Sequence, residues 1–382
     1  MDIFIIINWT IILLMTFFYL IYYFKRSSAN RQASIKSNTI SHNDPTNNFL
    51  YLSLVFALVW IVSGFRGNIT PDYGNYIHMF EYFNQFTFWN IIVFDSSNFY
   101  NTEKGYVILN KILGCFSTNF LILMCVVAFI ILFCYFKVYK KESKYVWLSI
   151  LLLVTLGSYY TSFNTMRQFL AASITFLAAE YLYENKNIKY FALIIVAALI
   201  HKTALIMIPF GLFLKINWNK SKGIIFGFFL CFLFVLTFFY TDDIVSIAQK
   251  FLYSNYTENT YGINDKINVL TLLRFVLFFV FALINIKRIN FKNLKERIWF
   301  NSILFDLVIS LFSLKVLILY RFTYYFLPYI TLFIPNMINK IDNPHLKKIY
   351  IIGIVVMALL YSYITHLSDD MIYEFIEISK VI

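Results

Sequence analysis

Charge is scarce in this sequence: 14% of its 382 residues are Asp, Glu, Lys or Arg, where a soluble domain carries about 25%. With 60% hydrophobic residues and a mean hydropathy of +0.68, that shortage excludes an ordinary water-soluble enzyme. Cysteine is equally uninformative as chemistry. Cys115, Cys125, Cys134 and Cys231 have no metal-ligand spacing, lie mostly in apolar runs and read as small core residues. The five histidines (His42, His78, His201, His345, His366) are scattered, so no metal centre is expected. D-x-D is absent, which argues against a metal-bridged nucleotide-sugar site; H-E-x-x-H, G-x-S-x-G and the Walker lysine loop are absent too. We therefore expect neither metal nor cofactor. No internal repeat and no separate soluble domain can be found, so residues 1–382 read as one polytopic membrane domain. The first apolar run ends at Lys25 and Arg26 without a small-residue cleavage site, and is expected to be a retained span.

What the chain does have is a series of apolar runs of 15 to 22 residues, near 3–24, 49–64, 119–136, 146–161, 168–183, 223–240, 269–286, 298–314, 317–338 and 349–366. The expected fold is an all-α integral membrane protein with about 10–12 transmembrane helices. A net charge of +12 raises nucleic acid as a partner, but the basic residues sit in short loops between spans, where membrane orientation explains them. The 44 Phe and 29 Tyr accompany many Asn, Lys and Ile. Such a bias resembles codon usage, so a single aromatic weighs little.

The stretch 190–214, "YFALIIVAALIHKTALIMIPFGLFL", is either one long span or two short helices meeting at His201–Lys202. Loop charge separates the two. If 190–214 enters and leaves on one side, the loops 25–48, 137–144, 184–189, 215–222, 287–297 and 340–348 share a side and hold 21 of the 32 Lys and Arg. A single crossing scrambles that bias. The positive-inside rule therefore favours a broken or re-entrant pair, with both termini outside the cytoplasm. Two helices of about 12 residues are each too short to span a bilayer at 1.5 Å per residue. They are tolerated where protein or a wet cavity lines them. An outward-facing cavity with His201 at its floor is the expectation. The 65–118 and 241–268 segments then face outward, and the Ser/Asn-rich 25–48 linker is cytoplasmic and flexible.

The outward segments carry the polar chemistry. In "SGFRGNITPDYGNYIHMFEYF" (63–83), Thr70-Pro71 reads as an N-cap and first helical residue, with Asp72 in the first turn and Tyr76, Phe80 and Phe83 on one face. That face suits an amphipathic helix on the outer membrane surface. Arg66 precedes it. "NTEKGYVILN" supplies Glu103 and Tyr106, "YYTSFNTMRQFLAAS" supplies Arg167 and Gln168, "ALIHKTAL" supplies His201 and Lys202, and "LILYRFTYYFLPY" supplies Arg321, Tyr324 and Tyr325. Each has a plainer account as a helix-end or snorkelling residue, but charge within a span is costly unless paired or wet. Arg274 and Asp306, at similar depth in neighbouring spans, read as a structural ion pair outside the site.

Together these groups point to one chemistry. Arg167, Arg321 and Arg66 suit the oxygens of a pyrophosphate. Tyr73, Tyr76, Tyr106, Gln168, Lys202, Tyr324 and Tyr325 suit a glycan or acceptor. His201, Asp72 or Glu103 suits proton removal from an attacking hydroxyl, with His201 ranked first because its pKa lies near ambient pH. The implied reaction is transfer from a lipid-linked pyrophosphate donor to a hydroxyl acceptor. A ligase or single-sugar transferase fits the same groups. A transporter of lipid-linked sugars fits less well, since no inverted repeat is visible and the charges gather at one face.

Five elements in order ("FRGNITPDYGNYIHMFEYF", "EKGYVILN", "MRQFLAASI", "HKTALIMIP", "YRFTYYFLPYI") resemble the EpsG family of bacterial Wzy-like polysaccharide polymerases, over about residues 50 to 340. The spacer "GNITP" after Arg66 departs from the G-x-G-T of many relatives. The resemblance implies a GT-C-like architecture and polymerisation of undecaprenyl-pyrophosphate-linked repeat units into O-antigen, capsule or exopolysaccharide. It implies a multi-pass protein of the bacterial cytoplasmic membrane with its site facing the periplasm or cell exterior. The implied partners are lipid-linked donor and acceptor, the bilayer, and a chain-length regulator and flippase of the same pathway.

Overall fold

The structure, a computed structural model, describes residues 49–93, 99, 101–217, 269–314 and 317–367. The expected spans 3–24 and 223–240, the 25–48 linker and most or all of the 241–268 segment lie outside the described residues. Regular structure within them is helical. In chain order the helices are α1 (Phe49–Gly64), α2 (Tyr73–Asn84), α3 (Phe88–Val93), α4 (Lys104–Gly114), α5 (Leu121–Glu142), α6 (Val146–Thr155), α7 (Ser158–Asn164) and α8 (Met166–Tyr183). There follow α9 (Asn187–Ala198), a 3-10 turn (Lys202–Ile206), α10 (Met207–Phe213), α11 (Val269–Ile284) and α12 (Leu294–Ser313). A 3-10 segment (Leu317–Tyr325), α13 (Leu327–Asn339) and α14 (Pro344–Leu367) complete the order.

Two of the described helices, Leu121–Glu142 and the stretch Pro344–Ile364 of α14, are long and apolar enough to cross a membrane, and α6 with α7 makes a third if the bent pair is one span. Several other expected spans are interrupted. The 146–161 run breaks at Gly157, where the chain bends by 47°. Gly157 has φ +89°, a left-handed conformation that costs a residue with a Cβ and suits glycine. The 317–338 run begins as a 3-10 segment and becomes α-helical only from Leu327.

The described residues divide into two compact units, one formed by 49–93, 107–166 and 334–367, the other by 99–106 and 167–333 within the described ranges. In the first, α1 and α5 run antiparallel. The Trp60 indole N–H donates to the Cys125 carbonyl at 2.9 Å, and Phe56 meets Phe129 and Phe136 edge-on at 5.3 Å each. Tyr159 donates its hydroxyl to the Val59 carbonyl at 2.6 Å, tying α7 to α1.

Helix α2 starts two residues later than Thr70-Pro71 suggests. Those residues form a turn in which the Tyr73 N–H reaches the Thr70 carbonyl at 3.0 Å, and Asp72 becomes the N-cap residue without a side-chain cap bond. Its apolar face (Tyr73, Tyr76, Phe80, Phe83) is buried. Phe120 packs edge-on against Tyr73 and Phe80 at 5.6 and 6.0 Å. That face covers protein, correcting the expectation of a helix resting its apolar side on the membrane surface: the rings find a better-packed partner at the start of α5.

In the second unit, the 190–214 stretch is a hairpin. The Tyr190 hydroxyl donates to the Met207 carbonyl at 2.8 Å, and the ring of Tyr190 lies so close over Gly211 that a Cβ there has no room. At the base, Lys215 Nζ reaches Asn185 Oδ1 at 3.2 Å and Asn187 Oδ1 at 2.5 Å. One straight helix would hold residues 187 and 215 about 42 Å apart. The base is further joined to α8 and α12. Asn301 donates to the Leu214 and Ile216 carbonyls at 2.8 and 3.0 Å, and Trp299 donates to the Tyr183 hydroxyl at 2.8 Å. The basic segments 184–189, 215–217 and 287–297 thus gather at one end of this unit. The start of α8, the hairpin tip and the 317–325 segment gather at the other.

Candidate functional site

The "EKGY" tetrad explains how the tip is held. Glu103 lies just before α4, and both its carboxylate oxygens are engaged: Oε2 pairs with Arg167 Nη1 at 3.2 Å, and Oε1 accepts the Lys202 backbone N–H at 2.9 Å. Gly105 allows this approach, because a Cβ there would stand 2.5 Å from the Leu199 carbonyl oxygen on the hairpin. Tyr106 is fully buried, and the Arg167 guanidinium lies over its ring at 5.4 Å, a cation–π contact that orients the arginine. Glutamate, glycine and tyrosine therefore serve one junction between α4, α8 and the hairpin.

His201, in the turn between the two arms, is 6% exposed. Its Nδ1 accepts the Thr203 N–H at 3.4 Å and lies 2.7 Å from Thr203 Oγ1, which is 2.7 Å from the Tyr325 hydroxyl. Gln168, on the first turn of α8, donates to the Arg321 carbonyl at 2.9 Å. The tip is thereby bonded to both α4 and the 317–325 segment. Burial first, then the positive charges of Arg167, Arg321 and Lys202, hold the His201 pKa well below the ordinary imidazole value. For Lys202, burial and Arg167 lower the pKa and Glu103 opposes them, leaving a net decrease. Three cations converge on a neutral ring, and the carboxylate beside them is already spent on Arg167 and Lys202.

The other expected residues are placed as follows. Tyr325 is fully buried and Tyr324 nearly so; Tyr324 packs on Phe169 at 4.8 Å and on Tyr320 at 5.6 Å. Tyr106, Tyr324 and Tyr325 therefore support the site's cations and backbone in this structure; their rings are not open platforms. Arg66, Asp72, Tyr73 and Tyr76 belong to the first unit. Arg66 is buried, donating to the Ser63 carbonyl and, at 3.1 Å, to the Phe163 carbonyl, with its guanidinium 4.8 Å from the Phe163 ring. It ties the end of α1 to the end of α7. The Asp72 N–H donates to Asn164 Oδ1 at 3.0 Å, fixing the turn before α2. Arg274 does not form the expected contact pair with Asp306. It donates to the Tyr320 hydroxyl at 3.1 Å and lies 4.5 Å from the Phe275 ring, while both Asp306 carboxylate oxygens are buried without a hydrogen-bond partner among the described residues.

Two contributors escape the sequence reading. Thr203 is the hinge of the His201 hydrogen bonds, and only its place two residues after a turn histidine hints at it. Arg274 braces Tyr320, next to Arg321, a link made by tertiary packing alone. Among the described residues no group of three or more His, Cys, Asp or Glu could hold a metal ion.

No curated protein and no solved structure matches the chain. The EpsG family model matches residues 49–377, which contain all the site residues described above. The chain belongs to the EpsG family, a family of Wzy-like polymerases.

Proposed function

We propose that this protein is a membrane glycosyltransferase that polymerises undecaprenyl-pyrophosphate-linked oligosaccharide repeat units on the outer face of the bacterial cytoplasmic membrane. The observation that carries this reading is the convergence of Arg167, Arg321 and Lys202 around His201, with Glu103 already paired. A set of cations whose nearby carboxylate is committed elsewhere favours a multiply anionic ligand, and guanidinium groups suit phosphate oxygens. Charge grows on the pyrophosphate as its bond to the sugar breaks. Fixed cations aimed there stabilise the transition state more than the ground state. Arg167 is the principal contact, oriented from below by Tyr106 and from the side by Glu103. Arg321 and Lys202 complete the pocket. Arg66, spent on backbone carbonyls of the first unit, is assigned a structural role.

Purified protein in vesicles, supplied with undecaprenyl-pyrophosphate repeat units and chelator, is expected to give a ladder of polymer on a gel. Arg167→Ala is expected to abolish the ladder while preserving expression. Normal-length polymer from that variant would count against the assigned pocket. A single-addition product from the wild type would shift the reading to a ligase or single-sugar transferase.

A further inference from the structure

We propose that Thr203, backed by Tyr325, fixes His201 as the tautomer with its hydrogen on Nε2, making His201 a hydrogen-bond donor to the anionic leaving group and removing it from the role of proton acceptor. This assignment rests on the proposed function for the identity of the anion, but its geometric basis is independent. A backbone N–H can only donate, so the Thr203 N–H directed at Nδ1 requires a bare nitrogen there. Thr203 Oγ1 stands 2.7 Å from the same nitrogen. An oxygen lone pair facing a nitrogen lone pair at that distance repels, so the hydroxyl must donate to Nδ1. Its oxygen then accepts from the Tyr325 hydroxyl, also at 2.7 Å. The chain of donation runs from Tyr325 to Thr203 to His201, and the one ring hydrogen of a neutral imidazole is left on Nε2.

The surroundings suit that role. Arg167, Arg321 and Lys202 are donors, and both oxygens of Glu103, the carboxylate on the tip, are engaged. A fourth donor in such company serves an acceptor-rich ligand, and a neutral imidazole can donate to developing negative charge without changing protonation state. Thr203 and Tyr325 are positioning residues in this scheme, acting through the ring.

Full-length protein labelled with 15N-histidine and placed in bilayers tests the assignment, with the His201 signals identified by their loss in His201→Gln. The expected spectrum near neutral pH has an unprotonated Nδ1 and a protonated Nε2, and added inorganic pyrophosphate shifts Nε2. Thr203→Val, which removes the hydroxyl but keeps the N–H, is expected to admit a second population with hydrogen on Nδ1. In the polymerase assay His201→Gln, which keeps a donor and cannot act as a base, should lose far less activity than His201→Ala, whose loss should approach the roughly 100-fold typical of removing one transition-state donor. A protonated Nδ1 in the wild type, or His201→Gln as slow as His201→Ala, would overturn the proposal. If Nε2 carries the hydrogen but pyrophosphate leaves it unmoved, the tautomer stands and the anion pocket of the proposed function fails.

Discussion

Replacing Glu103 by Ala should release the hairpin tip, and the size of the effect can be worked from its two bonds. Oε1 holds the Lys202 N–H at 2.9 Å and Oε2 holds Arg167 at 3.2 Å. A hydrogen bond to a charged group contributes about 1.5–3 kcal/mol. The Glu103 and Arg167 side chains are 11% and 16% exposed, so water weakens the pair and the lower half of that range applies, about 1.5–2 kcal/mol for the bond to Lys202. At 1.4 kcal/mol per tenfold, amide exchange in the 199–206 segment should accelerate by roughly 10- to 30-fold. Hydrogen exchange read by mass spectrometry, with protein in nanodiscs, measures it directly. Glu103→Gln keeps a carbonyl for the Lys202 N–H but turns an amide or an uncharged oxygen toward Arg167, so its effect on exchange should be smaller while its loss of polymerase activity stays large. Arg167→Ala leaves the Glu103–Lys202 bond in place and should change exchange least. Wild-type exchange in Glu103→Ala would refute the reasoning, because the tip would then be held by something other than this carboxylate.

Other expectations follow from single contacts. Gly105→Ala places a methyl 2.5 Å from the Leu199 carbonyl oxygen, backbone that cannot swing aside; it should cost about 1–3 kcal/mol and speed exchange in the same 199–206 segment. Gly157→Ala puts a Cβ on a left-handed residue, φ +89°, at about 1–2 kcal/mol, and should lower the temperature at which the protein inactivates in vesicles without altering exchange at the tip. The depressed pKa of His201 means that the unfolded chain binds the extra proton first. Its contribution to stability is therefore fully present above the unfolded value of about 6.5 and is lost as pH falls below it, by up to about 1.4 kcal/mol per pH unit. Comparing inactivation temperatures at pH 7.5 and pH 5 should show a larger acid loss in the wild type than in His201→Gln; equal losses would mean that His201 takes up its proton freely in the folded state.

The parts of this molecule that could be read from sequence are those where an apolar chain must account for a charge. The hairpin is one: a single crossing at 190–214 would have scattered the basic loops, and Lys215 reaching Asn185 and Asn187 is the contact that the charge bias anticipates. Glu103, Arg167, His201 and Arg321 are others, because each is expensive in an apolar run and none has a local partner. What could not be read is which partner each finds. "EKGY" at the mouth of a helix satisfies equally a glutamate that removes a proton and a glutamate that grips a backbone N–H ninety-nine residues away. Sequence spacing does not contain the 2.9 Å that decides between them. The aromatic residues fail for a related reason. Tyr106 and Tyr325 look like sugar platforms because tyrosine is amphipathic, yet both are fully buried, one beneath a guanidinium and one behind a threonine. In a chain with this many rings, burial separates a binding surface from its support, and burial is a property of the assembled unit. Thr203 is the sharpest case. A small polar residue after a turn histidine carries no charge to account for and leaves no periodic mark, but its hydroxyl and N–H decide which ring nitrogen of His201 holds the hydrogen. The chemical role of the most conspicuous residue at the tip is set by one of the least conspicuous.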